Sequence, residues 1–79
     1  MVTVYYKENC GQCMAVKRFL DAKKVPYQTE FISEDRYGEI REKFQVEALP
    51  VTEFSAPYTT GFVVGGNMAE IGKYLKTAG

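Results

Sequence analysis

Two residues in this chain stand out for their chemistry. Cys10 and Cys13 are its only cysteines, spaced as Cys10-Gly11-Gln12-Cys13. They follow the apolar run Val2-Thr3-Val4-Tyr5-Tyr6 and open a helical pattern that begins Cys13-Met14-Ala15-Val16. A strand, a short turn and a helix place the first cysteine at a helix N-terminus. There the unpaired backbone N–H groups and the helix dipole favour an anion. The thiolate is the anion a cysteine offers, and it is the reactive form. The second thiol sits about one helical turn further on, within reach of the first. That is the geometry a dithiol needs to form and break an internal disulfide.

Blander readings of the pair fare less well. Zinc takes about four ligands, and this chain has two cysteines and no histidine, so a zinc site could form only between chains. A structural disulfide closing so short a loop stabilises little, because the entropic effect grows with loop length. Two inert buried cysteines fit poorly with Gly11 and Gln12 between them, which read as an exposed turn. Redox chemistry is the favoured reading.

The elements that must position this pair follow from the pattern on either side. Val2 to Tyr6 carries β-branched and aromatic residues on both faces, as a strand covered on both sides does. Lys7-Glu8-Asn9 is a polar turn. A helix is predicted from about Gly11 to Lys24, with Cys13, Val16 and Leu20 on one face and Lys23 and Lys24 in its last turn. Pro26 blocks continuation. Tyr27 to Ile32 alternates and reads as a second, more exposed strand.

Ser33 is placed to cap a second helix, with Glu34 and Asp35 in its first turn and Tyr37, Ile40 and Phe44 at helical spacing. Gly38 weakens that helix by about 1 kcal/mol against alanine. Gln45 to Leu49 is a loop into Pro50. Val51 to Phe54 and Thr60 to Val64 are short strands, and Gly65-Gly66 ends the last. Asn67 and Glu70 form a capping-box pair ahead of a helix whose buried stripe is Met68, Ile71 and Leu75. The order is β-α-β-α-β-β-α. The first β-α-β unit should be parallel and right-handed, the last two strands an antiparallel hairpin, and the helices should cover both faces of a four-stranded mixed sheet.

Composition bounds what such a domain can do. The chain of 79 residues is expected to form a single domain, residues 1–79, with a modest core. Its 46% hydrophobic share is that of an ordinary globular protein. Ten basic and ten acidic side chains balance, which offers no signal for nucleic acid or a membrane surface. No apolar run approaches the roughly 20 residues of a membrane span. No secretory signal is apparent ahead of Val2, and two cysteines make no disulfide framework, so a cytoplasmic monomer is expected.

The whole chain resembles thioredoxin-fold proteins of glutaredoxin size, and most of all the NrdH-type redoxins. The resemblance rests on Val4-Tyr5-Tyr6-Lys7 leading into Cys10-Gly11-Gln12-Cys13, on Leu49-Pro50-Val51, and on Gly61-Phe62 eleven residues beyond the proline. Glutamine before the second cysteine is characteristic of that type, where other glutaredoxins usually carry Pro-Tyr between the cysteines. The resemblance implies a thioredoxin/glutaredoxin fold, α/β in class, and a cis Leu49–Pro50 bond beside the dithiol. It implies electrons from thioredoxin reductase, and delivery to the large subunit of ribonucleotide reductase or to other protein disulfides. No bound cofactor is expected beyond the redox-active Cys10–Cys13 disulfide, and no metal.

One segment departs from that type. After Gly61-Phe62 the NrdH pattern continues Arg-Pro-Asp, whereas here the chain reads Val63-Val64-Gly65-Gly66-Asn67-Met68. This looks like the Gly-Gly segment of glutaredoxins, whose following acidic pair helps hold glutathione, but Met68 and Ala69 stand where that pair would be. Three function classes therefore remain: a protein-disulfide reductant fed by thioredoxin reductase, a glutathione-dependent dithiol glutaredoxin, and a non-catalytic thioredoxin-fold interaction module, which the intact dithiol disfavours.

Other residues carry two readings each. Lys7 either supports the Cys10 thiolate or a partner, or is a solvated turn lysine. Glu53 is a solvent-facing strand residue or a polar group near the dithiol. Tyr6 reads as strand core rather than a stacking surface. Gly61 and Phe62 are a partner contact or simply a strand start and a core aromatic. Gly11, Gln12, Leu49, Pro50, Gly65 and Gly66 complete the candidate substrate- or partner-binding set around Cys10 and Cys13.

Overall fold

The first strand, β1 (Val2–Tyr6), is one of two central strands paired on both sides, and it leads directly to the dithiol. The computed structural model describes residues 1–46 and 48–78. Along the chain β1 is followed by α1 (Gly11–Ala22), β2 (Gln28–Phe31), a 3₁₀ turn at Glu34–Arg36, α2 (Tyr37–Phe44), β3 (Val51–Phe54), β4 (Gly61–Val64) and α3 (Met68–Leu75). Among the described residues the strands form one sheet in the order β2-β1-β3-β4. β1 runs parallel to β2 and antiparallel to β3, and β3 and β4 are antiparallel. This is the mixed sheet with helices on both faces that the sequence predicts.

Strand alternation divides the core into two layers. On one face Val2, Val4, Phe54 and Val63 meet Val16 and Leu20 of α1 and Ile71 of α3. On the other, Tyr5 and Val51 meet Ile40 and Phe44 of α2, with Ile32 beside them. Each such side chain, fully buried, contributes about 1.5–3 kcal/mol relative to exposure. One polar group shares this interior: the Thr52 hydroxyl is buried without a hydrogen-bond partner among the described residues.

Element ends differ from expectation in five places. α1 stops at Ala22, so Lys23 and Lys24 lie beyond its last turn; Lys23 is the C-cap and Lys24 turns left-handed at φ 57°. The residue before a proline avoids helical geometry, so Pro26 makes the helix unwind ahead of Val25. β2 is shorter than Tyr27–Ile32, although the Ile32 N–H still donates to the Tyr6 carbonyl at 2.8 Å.

Ser33 does not cap α2: the 3₁₀ turn intervenes, and its hydroxyl donates to the Asp35 carboxylate, a local bond that competes with capping. β4 begins at Gly61 rather than Thr60. Asn67 caps α3 as expected, its Oδ1 accepting from the Glu70 N–H at 3.2 Å, but the Glu70 carboxylate pairs with Lys73 instead of turning back. Glu47, within the expected loop before Pro50, lies outside the described residues, as does Gly79.

Candidate active site

β1 delivers the chain to the dithiol. Lys7-Glu8-Asn9 turns it, with Asn9 at φ 53°, and Cys10 becomes the N-cap of α1 in an extended conformation. Its Sγ accepts the N–H of Cys13 at 3.1 Å, and its carbonyl accepts the N–H of Met14 at 3.2 Å. The sulfur that sequence analysis places at a helix N-terminus therefore touches one of the helix's unpaired amides. The same contact would stabilise a thiolate once the disulfide opens.

Cys10 and Cys13 form a disulfide with their Cα atoms 5.2 Å apart. Cys13 is only 2% exposed, while Cys10 is half-buried. A partner can therefore reach Cys10 more readily than Cys13. Gly11 and Gln12 are exposed between them, as an open turn requires.

The remaining expected residues fall into two groups. The Leu49–Pro50 bond is cis, as the resemblance implies, and Ala56–Pro57 is cis as well. The Pro50 carbonyl accepts the N–H of Gly65 at 2.8 Å. Gly65 (φ 77°) and Gly66 lie against the Gln12 side chain; a β-carbon at Gly66 would stand 3.5 Å from Gln12 Cγ. Leu49 and Lys7 line a small cavity of about 50 Å³ with Tyr37, Ile40 and Arg41. The dithiol, Gln12, Gly65, Gly66, Pro50, Leu49 and Lys7 thus gather at one end of the sheet.

Gly61 and Phe62 do not join them. Gly61 pairs with Phe54 at the other end of the β3–β4 ladder. It lies under Tyr74, whose ring carbons would be 2.8 Å from an added β-carbon. Phe62 packs on Phe44 with ring centroids 4.9 Å apart and is 39% exposed. The structure thus places them as a packing glycine and a half-covered aromatic.

Glu53 is neither of the two expected things. Its Oε1 accepts the Tyr5 hydroxyl at 2.9 Å, and Lys43 Nζ reaches the same phenol at 3.1 Å and the carboxylate at 3.5 Å. Burial is the main cause that holds the Tyr5 phenol above its usual 10.0, against the pull of Lys43. The bond to Tyr5 raises the Lys43 ammonium above 10.5. Tyr6, expected in the strand core, is half-buried; Lys17 Nζ lies 3.4 Å over its ring and Phe31 meets it edge-on at 5.5 Å. Sequence reasoning missed the groove that Phe31 and Tyr37 line beside Asn9, because its walls come from two stretches more than twenty residues apart.

The chemistry available is that of a dithiol with one reachable and one shielded sulfur. Among the described residues no cluster of three or more His, Cys, Asp or Glu could hold a metal ion, and no helix is long and apolar enough to cross a membrane.

Comparison with known proteins agrees with this geometry. The Glutaredoxin family model matches residues 2–53, which carry the dithiol, the first two strands and most of β3. No curated protein sequence matches the chain. Among solved structures, a point variant of the thioredoxin-like protein BC3987 superposes with a TM-score of 0.79 at 18% identity, over 95% of this chain and 99% of that one. A glutaredoxin from Archaeoglobus fulgidus superposes at 0.73 with 19% identity, covering 95% and 85%. A Schistosoma mansoni thioredoxin gives 0.61 at 21%, covering 98% and 76%. At such identities the structural likeness speaks for the thioredoxin-like fold alone.

Proposed function

Since this chain belongs to the glutaredoxin family, we propose that its thiol–disulfide oxidoreductase activity serves protein disulfides, with electrons drawn from thioredoxin reductase rather than glutathione. The acceptor proposed is the large subunit of ribonucleotide reductase or another protein disulfide. Cys10 thiolate attacks one sulfur of the client disulfide; that S–S bond breaks, a mixed disulfide forms and a client thiolate leaves. Cys13 then attacks Cys10, the client's second thiolate leaves, and Cys10–Cys13 closes. Two electrons pass from the protein to the client. Thioredoxin reductase returns them from NADPH.

One observation carries the choice of donor: no free carboxylate follows Gly65-Gly66. The two residues that could stand in for the acidic pair of glutaredoxins are both engaged. Asn67 Oδ1 holds the Glu70 N–H, and the Glu70 carboxylate lies 3.6 Å from Lys73. Gln12 also lies along the Gly-Gly backbone, over the surface that pair would flank. Losing one charge-assisted contact is worth about 1.5–3 kcal/mol, or roughly ten- to a hundredfold in affinity.

The family match itself favours the second reading, a glutathione-dependent glutaredoxin. A glutathione titration followed by chemical shifts separates the two. The expectation is no saturable site at low millimolar concentration, catalytic reduction of Cys10–Cys13 by thioredoxin reductase with NADPH, and measurable glutathione binding gained in Ala69→Asp. Saturable wild-type binding around Gly65 and Gly66, with no turnover by thioredoxin reductase, would assign the chain to the glutathione-dependent group.

A further inference from the structure

At the β2 edge of the sheet, across from Gly65 and Gly66 beyond β4, a groove of about 370 Å³ opens beside the turn that leads into the dithiol. It begins at Asn9, the residue before Cys10. Phe31 and Tyr37 line it, with the Ile32 side chain buried behind them, and Glu8 and Glu34 bring carboxylates to it. Phe31 is 40% and Tyr37 36% exposed, so ring surface is open to a ligand. Among the described residues neither Glu8 nor Glu34 has an ion-pair partner. Arg36 is engaged by Glu30 at 3.1 Å, Glu39 at 3.3 Å and the Phe31 carbonyl at 3.0 Å.

Exposed aromatic surface combined with two unpaired carboxylates selects one kind of side chain. A long cationic residue lays its apolar stem on rings and keeps its charged head at the carboxylates. A purely apolar side chain would cover the carboxylates without pairing them, and an acidic one would be repelled. We propose that this groove seats a lysine or arginine side chain that a client polypeptide carries beside its attacked disulfide. The protein therefore favours client disulfides in cationic segments. This rests on the reading of Cys10 as the sulfur that attacks the client.

The groove is exposed, so the preference is set by weak pairs. About a three- to tenfold gain in the second-order rate constant for peptide reduction is expected, and salt should erase it. The test uses three cystine-bridged model peptides that differ only at the residue next to the cystine: Arg, Ala or Glu. Protein reduced beforehand with a phosphine and desalted is mixed with each, at low salt and at about 0.5 M salt. The order expected at low salt is Arg over Ala over Glu, converging at high salt. In Glu8→Gln/Glu34→Gln the Arg peptide should fall to the Ala rate while the Ala rate itself stays unchanged, which also reports that the variant is folded. Equal rates for the Arg and Glu peptides, or a preference that survives in the double variant, overturn the proposal. Reduction of the Ala peptide without any charge preference removes only the groove. If the wild type reduces none of the three, the dithiol reading fails and the groove proposal falls with it.

Discussion

The side chain of Gln12 lies along the backbone of Gly66, so that an added β-carbon would meet its Cβ, Cγ and Cδ at 3.5–3.7 Å. These are ordinary contact distances. The residue between the cysteines and the glycine pair after β4 form one surface, although 54 positions separate Gln12 from Gly66 in the chain.

The two glycines should therefore respond differently to alanine. Gly65 stands at φ 77°, where a β-carbon costs about 1–2 kcal/mol. Gly66 has room for one, so Gly66→Ala should stay within about 0.5 kcal/mol of the wild type. Urea unfolding of the two variants checks the pair, and equal losses would refute the assignment.

Cys10 should be the attacking sulfur and Cys13 the resolving one. Cys10 is the more exposed and receives the Cys13 N–H, whereas Cys13 is 2% exposed. Cys13→Ser should accumulate a mixed disulfide with a client, visible by intact mass, and Cys10→Ser should be inert. Trapping by Cys10→Ser instead would reverse the roles.

Gly61→Ala should destabilise by about 1–3 kcal/mol through overpacking, because Tyr74 ring carbons would lie 2.8 Å from the new β-carbon. In a Tyr74→Ala background most of that penalty should vanish, as a double-mutant cycle would show. Disulfide reduction per folded molecule should not change. A stable Gly61→Ala that no longer turns over with thioredoxin reductase would restore Gly61 as a partner contact.

Thr52→Val should raise stability by about 1–3 kcal/mol. Its hydroxyl is buried without a partner among the described residues, and an apolar group of the same shape removes that desolvation penalty. Thermal and urea unfolding report the gain. No gain would point to a bound water satisfying the hydroxyl.

The Tyr5–Lys43–Glu53 group sets an alkaline limit. Burial, the largest cause, raises the Tyr5 phenol above 10.0 against the pull of Lys43, and the bond to Tyr5 raises Lys43 above 10.5. Both groups hold their protons more tightly folded than unfolded. Their contribution is complete below the unfolded values near 10 and is lost as pH rises through the folded ones. Of the six tyrosines, Tyr5 should be among the last to ionise in an ultraviolet titration, and Tyr5→Phe should flatten the alkaline fall in stability. Ionisation of Tyr5 together with the exposed tyrosines would contradict the placement.

The dithiol, the order of elements and the centre of the core were legible in the sequence alone, although Met68, Leu75 and Tyr37 are less buried than their helical spacing suggests. These depend on local physics. A strand alternates with period two, a helix shows one face every 3.6 residues, and proline and glycine punctuate both. Val4, Val16, Leu20, Ile40 and Ile71 are core for that reason. Where a second local bond competed, as Asp35 does for the Ser33 hydroxyl, the pattern misplaced the cap.

What met across the sheet became visible with the folded chain. It brought Gln12 to Gly65 and Gly66, tied Glu53 to Tyr5 and Lys43, laid Tyr74 over Gly61, and set Glu8 and Glu34 around exposed Phe31 and Tyr37. None of these pairs has a sequence signature. Strand order and register bring distant segments together, and a residue's type does not say which strand lies next to its own.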